Sequence, residues 1–326
     1  MKSTLITGGT GFVGSNLSST LVDHGYNVRI LRRSDSDLRA LGGLAVKHYL
    51  GDVRDVDSLK EAMKGCDTVF HTAAIVSFKR KDRALQYDVN VAGTRNVVEA
   101  CLAAKVKRLV HTSSVATIGP TASGEPATEE SPYGWGTSSA YRHTKYLAEQ
   151  EVYAGVKRGL DAVIVNPSVI VGERDIHFHG GQMIREVKRG LVPFYVKGGM
   201  NVVYVGDVVE GHIQAALRGR TGERYILCGE NLTHREIFKR TAAVIGGRAP
   251  FAELPLPLLR AGAVLIEKIS RFLGVEPLIT PDLVSGAGLY NWYSCDKAQR
   301  ELGYRVTPFD QTILAAYNWY KSNGFL

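Results

Sequence analysis

Near its start the chain reads Ser3-Thr4-Leu5-Ile6-Thr7-Gly8-Gly9-Thr10-Gly11-Phe12-Val13-Gly14, and no other stretch restricts its fold as much. A short apolar run passes into a glycine-rich turn, after which Val13, Leu17 and Leu21 recur at helical spacing. The order is strand, tight turn, helix. Glycines let the backbone bend sharply and approach a ligand, and a helix N-terminus offers free N–H groups to a pyrophosphate. Gly9, Gly11 and Gly14 fit G-x-G-x-x-G, while Gly8, Gly11 and Gly14 fit the looser G-x-x-G-x-x-G. With 35 glycines in the chain, either spacing arises by accident. Its position between a strand and a helix gives it meaning, and there it predicts a dinucleotide site at Gly8, Thr10, Gly11, Phe12, Val13 and Gly14.

Further strands are expected at Asn27–Leu31, Val46–Leu50, Thr68–Thr72, Lys107–Thr112 and Leu160–Val165. Helical segments separate them, the longest at about 82–105 and 139–158. Strands alternating with helices predict an α/β fold, a Rossmann-type doubly wound parallel sheet covered on both faces. Past Asn166-Pro167 the texture changes, and 172–201 is rich in Gly, His and aromatic residues. Val202 to Val205, the helix Asp207–Arg218 and the strand Arg224–Cys228 resume the earlier rhythm. The expected division is a dinucleotide-binding domain of 1–170 plus 202–229, with a smaller, mostly helical substrate lobe from 171–201 plus 230–326.

A chain of 326 residues, 44% of them hydrophobic, can bury a large core. Its net charge of +8 is spread out; the longest basic run, Lys79-Arg80-Lys81, has no interleaved aromatics, which argues against nucleic acid. Cys66, Cys101, Cys228 and Cys295 are far apart and fit neither a metal site nor a disulfide framework. Without a leader peptide, a cytoplasmic setting is expected. The most apolar later stretch, Leu254 to Leu273, is interrupted by prolines and by Arg260, Glu267 and Lys268, so no membrane span is expected; an amphipathic helix is.

Tyr141 and Lys145 lie four residues apart in a helical context, on one face about one turn from each other. A tyrosine of ordinary pKa near 10 is a poor acid–base group at neutral pH, and a neighbouring ammonium lowers it. Thr112-Ser113-Ser114 ends the fifth strand, where ligands bind in open α/β sheets, and a serine there can hydrogen-bond a substrate oxygen.

The ordered set Gly8/Gly11/Gly14, Asp52, His71-Thr72-Ala73-Ala74, Asn90-Val91-Ala92-Gly93-Thr94, Ser114, Tyr141/Lys145 and Asn166-Pro167-Ser168 resembles the extended short-chain dehydrogenase/reductase family over nearly the whole chain. Within it the chain is most similar to the dihydroflavonol-4-reductase-like branch and to bacterial hopanoid-associated sugar epimerases. The resemblance implies Tyr141 as general acid, Lys145 as the residue that lowers its pKa and holds the nicotinamide ribose, and Ser114 as the orienting hydroxyl, with Ser113 as fallback. It implies Asp52 and Val53 at the adenine, Ala73 and Ala74 along the cleft, and Pro167 and Ser168 at the nicotinamide end. Asn90 is a structural or proton-relay position in such enzymes. A homodimer through the helix of Val97, Val98 and Leu102 is an expectation of the same kind.

An acid at the end of the second strand would bind the adenosine ribose and repel a 2′-phosphate. Arg32 and Arg33 stand there instead, which favours NADP(H); Asp35 keeps NAD(H) open. The family's sugar epimerases carry an Arg-aromatic-Asn run where this chain has Ile164-Val165-Asn166. That points to a carbonyl reductase acting on an apolar or aromatic substrate, with alcohol oxidation as the reverse reaction at the same site. A nucleotide-sugar epimerase or dehydratase is the alternative, with Arg185 and Arg189 as possible diphosphate contacts, and a non-catalytic dinucleotide sensor is the third reading. Candidate substrate contacts are Tyr133, His177, Phe178 and Tyr204. His177 and His179 have no third metal partner, and Asp207 is expected to cap a helix.

Overall fold

The computed structural model describes residues 2–119, 125–137, 139–273, 284 and 286–326. In its first half, strands β1 (Ser3–Thr7), β2 (Asn27–Arg32), β3 (Lys47–Leu50), β4 (Thr68–His71), β5 (Arg108–Thr112) and β6 (Ala162–Pro167) alternate with helices α1 (Phe12–Asp23), α2 (Val56–Met63), α3 (Arg83–Gln86), α4 (Gly93–Ala103) and α5 (Ala140–Lys157). The turns Tyr87–Ala92 between α3 and α4 are π-helical, so the three segments run on as one helix. The second half adds β7 (Val169–Val171), α6 (Gln182–Arg189), β8 (Phe194–Tyr195), β9 (Gly199–Tyr204), α7 (Val205–Arg218), β10 (Arg224–Leu227), β11 (Glu230–Thr233) and α8 (His234–Ile245). It continues with β12 (Ala252–Glu253), α9 (Leu256–Phe272), β13 (Tyr290–Asn291) and the helices Asp296–Leu302 and Phe309–Ser322.

Seven strands form one sheet in the order β10-β6-β5-β4-β1-β2-β3, every pair parallel. The order reverses between β1 and β4, so the connections leave in opposite directions there and open a crevice beyond the strand ends. β4 and β6 are buried at every residue, as parallel strands with both faces covered must be. Their side chains still divide with period two. Leu5, Val69, Leu109 and Ile164 join Leu59, Val97 and Val152 in one core; Ile6, Phe70, Val110 and Val163 join Leu17, Leu21 and Ile213 in the other.

The remaining chain builds a third core, including Ile184, Val187, Ile237, Phe309 and Tyr320. It is less helical than the sequence suggests. β9 pairs antiparallel with β11 and parallel with β7 and β13, in a sheet of its own. The stretch 202–205 therefore does not return to the main sheet as expected. The chain leaves the sheet at Pro167-Ser168, and the place beside β6 goes to β10, with Leu227 opposite Pro167. Only α7 and β10 return. The four cysteines are buried and unbridged. No helix of the described residues is long and apolar enough to cross a membrane.

Candidate active site

The glycines of the first turn do different jobs. Gly8 has φ +73°, a left-handed conformation, and a methyl there would stand 2.7 Å from the Ala73 backbone, so the turn is pressed against the end of β4. A methyl on Gly14 would stand 2.2 Å from the Gly8 carbonyl oxygen. At Gly11, by contrast, the only neighbour is that oxygen at 3.3 Å. Gly11 begins α1 in an extended conformation that any residue adopts (φ −82°). The protein itself has room for a side chain there, so the bareness serves what approaches from outside.

Beyond the strand ends runs a groove lined by Gly8, Thr10, Gly11, Arg32, Arg33, Ser36, Asp52, Val53, Thr72, Ala73, Ala74 and Ile75, among others. It fits a dinucleotide: a positive rim at one end, a glycine cradle at a helix start, and a neutral floor at the other. Of the expected cofactor residues, Phe12, Val13, Gly14, Lys145, Pro167 and Ser168 are not part of its lining. Val13 packs into the core, Gly14 closes the turn, and Pro167 is buried in β6. The Ser168 hydroxyl donates to Asn201 Oδ1 at 2.5 Å, a link between the two sheets. Sequence reasoning passed over Ser36, which accepts the Arg33 N–H at 3.1 Å, and Thr72, whose hydroxyl binds the Thr7 carbonyl at 2.7 Å.

At the adenosine end, Arg32 donates to His48 Nδ1 at 3.0 Å and to the Arg33 carbonyl at 3.1 Å. Arg33 pairs with Asp35 at 3.0 Å, and Asp52 with Arg54 at 2.8 Å. Each arginine holds its carboxylate below the ordinary range.

Past Ala73-Ala74, β5 and α5 deliver the polar cluster. The Tyr141 phenol lies beside Ser114, whose hydroxyl favours its ionised form. Ser113 is buried and its hydroxyl has no partner among the described residues, so of the two serines it is Ser114 that meets the tyrosine. Ser114 is held in turn: its Oγ accepts the Ala116 N–H, and its carbonyl accepts from Thr117 Oγ1 and Asn166 Nδ2. Lys145, almost wholly buried, donates to the Thr112 carbonyl at 2.6 Å. Burial brings its pKa down to about 8 against the opposing pull of the Glu149 carboxylate. Tyr141 moves the other way from expectation. Burial raises its pKa, the neighbouring Ser114 hydroxyl only partly offsets this, and the lysine, committed to Thr112, contributes nothing.

Two supports escaped the sequence reading. Glu149, one turn beyond Lys145, is buried and accepts from Thr117 Oγ1 at 2.8 Å and Asn166 Nδ2 at 2.7 Å, with Arg224 at 3.7 Å. Its (i, i+4) spacing from Lys145 was the only signal. Phe78 sets its ring edge-on to Tyr141 at 5.9 Å. Asn90 clamps the intervening loop, bonding Ile75 N–H, Ile75 C=O and Thr144 Oγ1, a structural role. Beneath the cluster His71 links Thr7 Oγ1 and Thr94 Oγ1. Thr94 gives its own proton to the Asn90 carbonyl, so Nε2 carries the ring hydrogen. Burial holds this imidazole neutral.

The expected substrate contacts have other partners. Phe178, at φ +55°, stacks on Tyr320 at 4.7 Å under the Arg185 guanidinium; it is a core ring, and Arg185 is occupied with it. His177 is exposed on a loop whose Arg174 binds the Ala40 carbonyl and Ser19, far down α1 from its start. Tyr204 donates to Glu173 at 2.9 Å. Tyr133 binds the Gly136 carbonyl and stacks on Tyr146 at 4.5 Å. Asp207 is no cap: α7 starts at Val205, and the carboxylate binds Thr307 N–H and Oγ1 at 2.6 and 2.7 Å.

A crevice at the strand-order reversal, a glycine cradle and a Ser–Tyr–Lys cluster make a site for moving hydride and proton on a carbon–oxygen bond. The model of the NAD dependent epimerase/dehydratase family matches residues 4–228. The chain belongs to that family, among the extended short-chain dehydrogenases/reductases. It is 38% identical to a Synechocystis sp. protein named for dihydroflavonol 4-reductase, over 98% of this chain and 95% of that one. It is 34% identical to sterol demethylase protein B of Methylococcus capsulatus, over 99% of each. The crystal structure of gox2253 superposes with a TM-score of 0.88 at 38% identity, covering 100% of both chains. This extended short-chain enzyme is thus an oxidoreductase acting on CH–OH groups with a nicotinamide dinucleotide.

Proposed function

We propose that the protein is an NADP(H)-dependent carbonyl reductase for an apolar substrate, with Tyr141 as proton donor. The observation that carries this reading is the placing of Ser114, at the carboxyl end of β5, beside the Tyr141 phenol, with Lys145 one helical turn on. The dinucleotide supplies the hydride when bound. Ser114 orients the carbonyl oxygen, and Tyr141, kept protonated by burial, gives that oxygen its proton. Lys145 holds an ammonium near the ribose and turns it from Thr112 when a better acceptor arrives.

The phosphate preference is supported by Arg32 and Arg33 on the groove rim. The carboxylates by that rim, Asp35 and Asp52, are taken by Arg33 and Arg54. Reduction rather than epimerisation is supported by Asn166. Its amide nitrogen is spent on Ser114, Thr117 and Glu149, and Ile164 is buried where the sugar enzymes place arginine. Phe78 beside Tyr141 and the relative named for sterol demethylation support an apolar substrate.

The test is NADPH oxidation with flavanonols, aromatic aldehydes, keto esters and steroids, alongside nucleotide sugars assayed for epimerisation. Net, stoichiometric NADPH consumption that Tyr141→Phe abolishes is expected. Sugar epimerisation without net consumption would replace this reading by the epimerase, and unchanged reduction by Tyr141→Phe would move the acid elsewhere.

A further inference from the structure

Helix α9 buries only Ala263 and Ser270. Its large apolar side chains face outward: Leu258, Leu265 and Phe272 are 62%, 58% and 89% exposed, and Val264, Ile269 and the following Leu273 are exposed too. At about 100° per residue, Leu258, Leu265, Ile269 and Phe272 fall in one stripe about 60° wide, on the side away from Ala263 and Ser270. Arg260, Lys268 and Arg271, all exposed, lie along one flank. The helix carries a single acid, Glu267, which meets Arg271 at 3.3 Å. Water-facing apolar stripes of this size are rare on monomeric soluble proteins and mark a surface that meets something.

We propose that α9 is a membrane-surface helix, which seats its apolar stripe in the boundary layer of an anionic phospholipid bilayer. The charge pattern selects this occupant. A second copy docking through the same face would bring Arg260, Lys268 and Arg271 toward their own equivalents or leave them unmatched, because a two-fold contact pairs a surface with itself. Phosphate headgroups, in contrast, complement a basic flank beside an apolar stripe. The ladder of β8 and β12, which leads into the helix, adds the exposed rings of Phe194 and Phe251.

The placement has a use. Leu256, at the start of α9, packs on Gly288, and a methyl on Gly286 of the same turn would stand 3.3 Å from Arg142 Nη2. Arg142 follows Tyr141, so the helix is joined to the rim of the active site through one turn of chain. An apolar molecule leaving the bilayer would reach the site without crossing bulk water. The surface itself is independent of which carbonyl is reduced.

The experiment is flotation of the full chain with vesicles of phosphatidylcholine, or of phosphatidylcholine mixed with phosphatidylglycerol, at low and high salt. Flotation with the mixed vesicles, weakened by salt, is expected. Leu265→Ser, Ile269→Ser and Phe272→Ser together should lower partitioning about a hundredfold. Lys268→Glu with Arg271→Glu, which leaves the stripe intact, should remove the preference for anionic vesicles; dinucleotide binding by both variants checks their fold. The proposal is overturned if the wild-type protein floats with neither vesicle, or if both variants float as it does. It is equally overturned if the wild type does not bind vesicles and sediments as a dimer that the triple variant breaks, since the face would then be an interface between copies.

Discussion

Gly11 and Gly14 occur three residues apart in one motif, yet the structure separates what each is for, and alanine at each position tests the separation. At Gly14 the new methyl meets only backbone, the Gly8 carbonyl oxygen at 2.2 Å and the Gly8 carbonyl carbon and Gly9 Cα at 2.8 Å. No side chain can swing aside, so the turn must open. Overpacking costs ~1–3 kcal/mol, and 2.2 Å from a backbone oxygen belongs at the upper end; after about 1 kcal/mol is returned by alanine's better helix propensity, about 2 kcal/mol is lost. At Gly11 the methyl stands 3.3 Å from one oxygen, in a backbone conformation alanine accepts; the loss is about 1 kcal/mol or less, from a poorer helix N-cap. For a large domain each kcal/mol moves Tm by ~2–4 °C or less. Thermal melts should therefore find Gly11→Ala within about 3 °C of wild type and Gly14→Ala lower still. Fluorescence titration with NADPH should reverse the order of interest. Gly11→Ala, folded and stable, should bind at least about tenfold more weakly, because its methyl occupies the approach of the pyrophosphate. If Gly11→Ala binds NADPH as the wild type does, the cradle does not face the phosphates and the placement of the dinucleotide is wrong.

Arg32→Asp should weaken NADPH by about a hundredfold through a lost charge-assisted contact and a new repulsion, and change NADH by less than about threefold; similar losses for both would refute the 2′-phosphate assignment. In the reduction direction, kcat/KM should fall as pH rises through about 8, where Lys145 loses its proton, well before the Tyr141 phenol does. Lys145→Arg should carry that limb to much higher pH, and a limb that stays near 8 would assign it to another group. Glu149→Gln removes the charge that holds the lysine's pKa up, so the same limb should move to lower pH. Glu149→Ala takes one acceptor from Thr117 and Asn166 and a carboxylate from beside Arg224, each of which keeps backbone acceptors, and should cost ~1–3 kcal/mol by urea unfolding. A loss below about 1 kcal/mol would mean that water replaces the carboxylate there.

The cofactor half of the site was legible because short separations make it. Strand, turn and first helix occupy 21 consecutive residues, and their meaning lies in backbone shape, which glycine spacing reports directly. Tyr141 and Lys145 share one helix, so their common face was a matter of counting. The errors cluster where a residue's role is set from far away. Asp207 is claimed by Thr307, and the loop carrying Phe178 is tied through Asp175 to Tyr320, 145 residues on. β9 reads as a strand in any context; only its partners β7, β11 and β13 say which sheet receives it. The Tyr141 pKa failed for the same reason in a different form. Spacing put an ammonium near the phenol, but its sign of influence depended on where Lys145 Nζ points, and Thr112 takes it from 33 residues away. The exposed stripe of α9 is the converse case: its amphipathic period was visible, whereas which of its two faces meets the protein was not. An apolar face turned inward and one turned outward have the same sequence pattern, and only the burial of Ala263 and Ser270 distinguishes them.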